Sequence, residues 1–380
     1  MKTSSVRSVV LAGGGTAGHV NPLLAVADEL RARDPETSFR VLGTASGLEA
    51  DLVPAAGYPL HEIPRVPLPR RPSPDLFRLP VRLRAAVRSA QDAITEIDAQ
   101  AVVGFGGYVS TPAYLAARRL GVPVVIHEQN ARPGLANRLG ARWAAAVGTT
   151  FADTRIAGAT CVGLPLRPAI AALVDERRAD PAGSRARGAA ALGLDPALPT
   201  LLVTGGSSGA LNVNRAVTGA AATLLDAGVQ VLHLTGRGKD TEVREAVAAL
   251  AGDHDVSRYH VREYLGEMQH ALAACDLVVA RSGAGTVCEL AALGLPAVYV
   301  PLPIGNGEQR LNARDVVGAG GGIVIDDAAF TPERVAAEVP ALLQDRDRLV
   351  AMAEAAGSVG VRDAAARVAD MVADVAGAAR

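Results

Sequence analysis

The sequence predicts an α/β protein of two doubly wound, Rossmann-like domains, each built on a parallel sheet. Two observations predict this. Each half opens with a buried apolar strand, a glycine loop and a helix. The first opening is Val9–Ala12, then Gly13-Gly14-Gly15-Thr16-Ala17-Gly18-His19, then a helical run from Asn21-Pro22; the second is Thr200–Thr204, then Gly205-Gly206-Ser207-Ser208-Gly209-Ala210, then a run from Leu211. Behind each opening, apolar strands alternate with helical stretches, the pattern of a sheet covered on both faces. A glycine loop between strand and helix lets backbone N–H groups and a helix N-terminus approach an anion. Two such halves facing across a cleft suit a phosphate-bearing donor on one side and an acceptor on the other.

In the first half, strands are expected at Ser8–Ala12, Phe39–Thr44, Leu60–Ile63, Ala101–Phe105, Val122–Ile126 and Ala145–Thr149. Helices are expected at Asn21–Arg33, Gly47–Ala56, from Ser110 onward, and at Gly134–Leu139. In the second half, strands are expected at Leu201–Thr204, Val229–Leu234, Val256–Val261, Leu277–Ala280, Ala297–Val300 and Gly322–Ile325, with helices between. Val162–Pro199 reads as the crossover, and Val361–Ala379 as an alanine-rich helix. The expected domains are 1–166, completed by 361–380, and 167–360.

Composition narrows the function classes. The chain has 380 residues, 49% hydrophobic and 20% charged, as a folded two-domain protein requires. A formal net charge of −1 gives no global attraction to nucleic acid, and 3% aromatics leaves few platforms for stacked bases. Cys161, Cys275 and Cys288 lack metal-ligand spacing and read as reduced thiols. No signal peptide is evident, and the best apolar run, Leu290–Ile304, is cut by Gly294, Pro296, Pro301 and Pro303.

Gly13 to Gly18 also matches G-x-G-x-x-G, which opens a nicotinamide alternative. That reading needs an acid ending the second strand to hold a ribose, but Gly43-Thr44-Ala45-Ser46 stands there and the nearest acid, Glu49, falls in a helix. Thr235-Gly236-Arg237-Gly238-Lys239-Asp240 lacks the first glycine and the final hydroxyl of a Walker loop. Asp253-His254-Asp255 spells D-x-D, yet it sits in a polar connection away from the glycine loops and reads as a solvated turn. No metal site is therefore expected, and a departing diphosphate would be stabilised by helix N-termini and basic residues.

His19 lies between the first glycine loop and a helix expected to be capped by Asn21. The helix dipole favours a neutral imidazole that can accept a proton. Phe105-Gly106-Gly107-Tyr108-Val109-Ser110 and His127-Glu128-Gln129-Asn130 each follow a strand end. Their density of polar side chains suits a polyhydroxylated or peptide-bearing acceptor, with Tyr108, His127, Glu128 and Asn130 as candidates. In the second half, Arg281-Ser282-Gly283-Ala284-Gly285-Thr286-Val287-Cys288-Glu289 follows a strand. It offers glycine-loop amides for a diphosphate and Glu289 for ribose hydroxyls. The alternative is structural, because Thr286 and Glu289 have capping-box spacing. Gln309 and Asn312 are amides suited to sugar hydroxyls.

Pro64–Ala90 carries seven arginines, at 65, 70, 71, 78, 82, 84 and 88, against one acid, Asp75, with Leu76, Phe77, Leu79, Val81 and Leu83 interleaved. A segment both cationic and apolar in a chain of near-zero net charge reads as a surface for anionic lipid headgroups. Arg70, Arg71, Leu76, Phe77, Arg78, Leu79 and Arg82 are its candidate contacts.

Five co-linear motifs spanning nearly the whole chain resemble the MurG family of N-acetylglucosaminyltransferases: Gly14–His19, Gly106–Ser110, His127–Asn130, Gly205–Ser207 and Arg281–Glu289. The resemblance implies a GT-B fold and inverting transfer of GlcNAc from UDP-GlcNAc to the 4-hydroxyl of undecaprenyl-diphospho-MurNAc-pentapeptide (lipid I), giving lipid II for peptidoglycan. It implies a peripheral protein on the cytoplasmic face of the cell membrane, working with cell-wall and division machinery, with no tightly bound cofactor. Carried over by residue, it places Thr16, Ala17, Gly18, Asn130, Arg167, Ser207, Leu265, Ala284, Gly285, Thr286, Val287, Cys288, Glu289 and Gln309 on the donor, with Glu289 on ribose and Gln309 on GlcNAc. His19 becomes the base or an acceptor contact. The chain departs from the family where Leu164 replaces an Asn, Glu308 a Gln and Ser208 a Gln. The nearest rivals within the fold are a UDP-GlcNAc 2-epimerase and an antibiotic glycosyltransferase; an NAD-dependent oxidoreductase is more remote.

Overall fold

The computed structural model describes residues 6–66, 75–206 and 208–378. The chain divides into two compact units, one reaching to Arg167 and resuming at Arg362, the other Pro168–Val361.

The first unit holds a seven-stranded parallel sheet: β1 (Ser8–Gly13), β2 (Ser38–Gly43), β3 (Leu60–Glu62), β4 (Ala101–Gly106), β5 (Val124–Glu128), β6 (Ala146–Thr149) and β7 (Thr160–Cys161), in the order β3-β2-β1-β4-β5-β6-β7. β1 pairs on one side with β2, Val9 opposite Phe39, and on the other with β4, Val9 opposite Ala101. Chain order therefore reverses between β1 and β4. Connections leave in opposite directions there, opening a crevice at the carboxyl ends of the strands. The second unit repeats this with β8 (Thr200–Thr204), β9 (Gln230–Leu234), β10 (Tyr259–Arg262), β11 (Leu277–Ala280), β12 (Ala297–Tyr299) and β13 (Gly322–Val324), in the order β10-β9-β8-β11-β12-β13. Its reversal lies between β8 and β11. β1, β4, β5 and β11 are buried along their whole length, as strands covered on both faces must be.

Several boundaries differ from expectation. The helix after the first glycine loop is Ala17–Arg33, with Thr16 in the N-cap position, so His19 sits in its first turn and Asn21 caps nothing. Val256 begins a 3-10 turn rather than a strand. The basic, proline-rich segment leads into a helix, Asp75–Glu96, that buries Val87, Ala90, Ala93 and Ile94 against one face of the sheet. Leu79, Leu83, Val87, Ala90 and Ile94 carry its helical period, a signal obscured by the surrounding arginines and by Pro80. The crossover is two helices, Pro168–Ala179 and Pro181–Leu192.

The C-terminal helix, Ala364–Ala378, buries Val368, Ala369, Val372 and Ala376 in the first unit's core with Val9, Leu11 and Leu23. Each buried valine contributes about 1.5–2 kcal/mol. The Arg33–Asp370 pair at 2.6 Å joins side chains 34% and 65% exposed and is worth at most ~1 kcal/mol. Packing, not the ion pair, holds this helix.

Gly188 lies where Pro181–Leu192 crosses the helix Met268–Ala274. A Cβ there would stand 2.6 Å from the His270 carbonyl oxygen and 2.7 Å from the Ala273 Cβ. Alanine normally stabilises a helix interior by about 1 kcal/mol over glycine, but overpacking costs about 1–3 kcal/mol. Gly188→Ala should therefore lower the urea midpoint of the second unit; a raised midpoint would show that the two helices can separate freely.

Candidate active site

Both reversal points carry the glycine loops. In the first unit, the loops after β1 and β4 are pressed together: a Cβ on Gly107 (φ +78°) would lie 2.5 Å from the Gly14 carbonyl oxygen. Only glycine allows that approach at that φ. The contact brings His19 to Gly106, where a Cβ would stand 3.2 Å from His19 Nε2.

His19 is half-buried. Its Nδ1 is 3.0 Å from the Gly14 carbonyl oxygen and 3.1 Å from Thr16 Oγ1. A carbonyl only accepts, so Nδ1 carries the proton and Nε2 keeps its lone pair. Burial pushes the imidazole pKa below its ordinary value, opposed by the Gly14 bond and the charge of Glu49. A neutral ring with a free Nε2 lone pair is the form a general base needs. Thr16 and Gly18 are exposed and Ala17 is half-buried beside it. Tyr108 is half-buried, its Oη 3.4 Å from Thr44 Oγ1 and its ring under the Arg65 guanidinium at 5.4 Å.

His127 and Glu128, expected to contact the acceptor, are instead buried supports. His127 Nε2 donates to the Gly163 carbonyl at 2.8 Å, and Gln129 Nε2 donates to His127 Nδ1 at 3.1 Å. With both nitrogens committed and the ring packed on Phe105, burial pushes its pKa down to about 4. Glu128 accepts from the Asn130 and Gly134 amides, both at 3.0 Å, and from Asn137 Nδ2 at 2.9 Å; Asn137 Oδ1 accepts from Tyr114 Oη at 2.7 Å. These bonds set the course of the loop that carries half-buried Asn130. The desolvation of so many polar groups after a strand is met by their mutual hydrogen bonds.

In the second unit, the loop after β8 is bent at Gly206 (φ +77°) and Gly209 (φ +66°), and Ser207 lies outside the described residues. After β11, the helix Ala284–Leu293 begins behind Gly283 with no side-chain cap and no acid in its first turn. Added Cβ atoms at Gly283 and Gly285 would meet nothing within 4 Å, so there is open space beside the start of this helix. Uncapped amides at the positive end of a helix form an anion site. Thr286 lies inside the helix, so its capping-box spacing with Glu289 is not used as a cap. Gly285, Thr286 and Glu289 share one face by their three- and four-residue spacing, and Glu289 and Cys288 are half-buried. Ala284 and Val287 are buried in the core, which leaves them only backbone contacts to offer.

Arg281 fixes the next loop. It is 2.5 Å from Asp327 and donates to the carbonyls of Val300 and Pro301, both at 3.1 Å. Gln309 Oε1 accepts from the Leu302 amide at 2.9 Å, which orients the carboxamide. Asn312, buried, donates to the Ser282 carbonyl at 3.3 Å and ties that loop to the one after β11. Leu265 is half-buried just past β10, and Arg167 is half-buried at the end of the first unit's main segment. Asp255 caps the 3-10 turn through the Ser257 amide, and His254 pairs with Asp226 at 2.7 Å. Among the described residues no group of three His, Cys, Asp or Glu side chains is placed to hold a metal.

Of the membrane candidates, Arg70 and Arg71 lie outside the described residues. Leu76, Phe77 and Arg78 fall in the helix Asp75–Glu96, with side chains outside the description. Leu79 and Arg82 are half-buried, and Val81 is 67% exposed. Glu49, read from the sequence only as a helix acid unsuited to hold a ribose, is fully buried beneath the first glycine loop.

The glycosyltransferase family 28 N-terminal domain matches residues 9–149, and the family 28 C-terminal domain matches residues 200–368. The chain belongs to that family, and within it to the MurG family. It is 55% identical over 366 residues to a protein of Clavibacter sepedonicus, covering 96% of this chain and 95% of that one. It is 51% identical to a protein of Bifidobacterium adolescentis, covering 95% and 96%. Both are named UDP-N-acetylglucosamine–N-acetylmuramyl-(pentapeptide) pyrophosphoryl-undecaprenol N-acetylglucosamine transferase. The crystal structure of MurG from Acinetobacter baumannii superposes with a TM-score of 0.74 at 29% identity, covering 96% of this chain and 99% of that one.

His127 and His233 are buried neutral, with folded pKa values near 4 and 3, below the ordinary 6.5. Between those values the unfolded chain binds more protons, so stability is complete above pH ~6.5 and falls as pH drops toward ~4. Each should cost about 2 kcal/mol by pH ~5. A urea midpoint that holds steady from pH ~7.5 to ~5 would rule out these buried neutral rings.

Proposed function

We propose that this chain transfers GlcNAc from UDP-GlcNAc to the 4-hydroxyl of undecaprenyl-diphospho-MurNAc-pentapeptide, with inversion, to give lipid II. What carries the proposal is relatedness over nearly the full length, above 50% identity, to proteins named for that transfer. The geometry of both reversal points supports it. The uncapped amides at Ala284–Thr286 suit the donor diphosphate, and Glu289 on the same helix face suits ribose hydroxyls. Ser207, Leu265, Arg167, Asn130 and the Gln309 carboxamide complete the donor contacts. The acceptor oxygen attacks the anomeric carbon, the bond from that carbon to the UDP oxygen breaks, and His19 Nε2 takes the hydroxyl proton. Charge on departing UDP is met by the helix N-terminus, so no protein-bound metal or other cofactor is invoked.

UDP release from UDP-GlcNAc should require the lipid-linked acceptor and yield a disaccharide product. His19→Ala should lower kcat by about 10²–10⁴-fold. Acceptor-independent release would instead indicate an epimerase or hydrolase.

The helix Asp75–Glu96 and the arginines before it form the membrane-facing surface in this proposal, on the cytoplasmic side where the sugar nucleotide is found. No helix among the described residues is long and apolar enough to cross a bilayer. Exposed Val81, with Arg82, Arg84 and Arg88 on the same helix, suits shallow apolar insertion among anionic headgroups. Proteins that make and use the lipid, in the cell-wall and division machinery, are the expected neighbours. Co-sedimentation with vesicles containing phosphatidylglycerol should exceed that with neutral vesicles by about tenfold or more, and reversing Arg84 and Arg88 to Glu should remove most of the difference. Equal sedimentation with both would end the electrostatic part of the proposal.

A further inference from the structure

One amide of the first glycine loop is already occupied from within. Glu49, at the start of the helix Glu49–Ala55, is fully buried. Its Oε2 accepts from the Gly15 amide at 2.8 Å, and its Oε1 accepts from the Thr44 amide at 3.1 Å and from Thr44 Oγ1 at 2.9 Å. Three glycines make room for it. A Cβ at Gly14 would lie 2.7 Å from Oε1, one at Gly43 would lie 2.6 Å from Cγ, and one at Gly47 would overlap the carboxylate. Thr44 passes the link on to Tyr108, 3.4 Å from its hydroxyl. A Cβ at Gly15 (φ +86°) would stand 3.1 Å from the Tyr108 ring.

We propose that Glu49 is a positioning residue for the transfer reaction: through Gly15 and Thr44 its carboxylate fixes the loop that presents His19 and the ring of Tyr108. The inference rests on His19 as proton acceptor. A buried carboxylate taking three hydrogen bonds from two backbone amides and a hydroxyl is a stiff brace, because each charge-assisted bond is about twice as strong as a neutral one. It also sets the field at His19. The other elements against that ring present Gly106 and Asn137, both uncharged. Glu128 stands behind Asn137, bonded to it, and Arg65 lies over the Tyr108 ring. Glu49 is the carboxylate whose charge favours the protonated imidazole.

The test uses the full chain with UDP-GlcNAc and the lipid-linked acceptor. Glu49→Gln keeps the shape, removes the charge and sets an NH2 against amide donors. It should lower kcat about 10–100-fold, leave the UDP-GlcNAc KM within about twofold, and move the acid limb of kcat and the His19 ring titration by NMR at least ~0.5 unit lower. Glu49→Asp, which keeps the charge, should leave the limb in place while still losing kcat. An unmoved limb and an unmoved His19 titration in Glu49→Gln overturn the positioning role. Should that variant fail to fold, Thr44→Val removes one brace and keeps the charge. It should cost several-fold in kcat at an unchanged limb, and wild-type turnover there also overturns the proposal. Failure of the underlying reading looks different, because His19→Ala would then turn over normally while the His19 titration still responded to Glu49.

Discussion

Everything at the candidate site depends on one backbone constraint: a central strand hydrogen-bonded in parallel on both sides, with chain order running outward from it in opposite directions. β1 between β2 and β4, and β8 between β9 and β11, are those strands. Parallel neighbours need crossovers, and two crossovers leaving to opposite sides cannot cover the gap above the strands they leave. Loops that would elsewhere pack on a helix are therefore left open at the carboxyl ends. The sheets are buried and stiff, so the loops inherit fixed starting points.

Close approach then decides which residues can stand there. The Gly14–Gly107 contact in the first unit has a counterpart in the second, where a Cβ on Gly236 would lie 2.5 Å from the Gly209 Cα. In both units the loops of neighbouring strands touch through backbone, which only glycine permits. His19 is held by this contact as much as by its own hydrogen bonds, since any larger residue at Gly106 would meet its ring. Arg281 plays the complementary part in the second unit. Its side chain, 12% exposed, reaches across to Asp327 and two loop carbonyls and ties three segments together. Breaking such a pair costs more than the pair contributes, because one buried charge is left behind.

Much of this was legible in the sequence because short-range pattern and long-range fold agree. Strands such as Val9–Ala12 and Leu277–Ala280 are apolar runs bounded by glycine or polar residues, and that is what a doubly covered strand requires. The glycine loops and the residues after β5 and β11 could be placed for the same reason. What could not be read is burial of polar groups. His127 and Glu128 look like exposed ligands in a polar stretch, yet each polar atom finds a partner from residues 2 to 36 positions away, and no spacing rule encodes that. Glu49 failed in the opposite direction. An acid in the first turn of a short helix, with Asp51 two residues on, looks like a favourable helix-dipole charge, and only the joint placement of Gly14, Gly43 and Gly47 shows that it is drawn inward. The helix Asp75–Glu96 was hidden by composition, since its arginines read as surface while every third or fourth residue was turning toward the sheet. Thr160–Cys161 is too short and too exposed to leave any pattern.

The two units share a fold and a loop type but not an electrostatic state. The helix after β1 and the helix after β11 both begin with no side-chain cap and no acid in the first turn. In the first unit a buried carboxylate also stands behind the loop, where Glu49 accepts from the Gly15 amide. Its charge lies near an imidazole whose pKa burial lowers, and it opposes that shift by favouring the imidazolium.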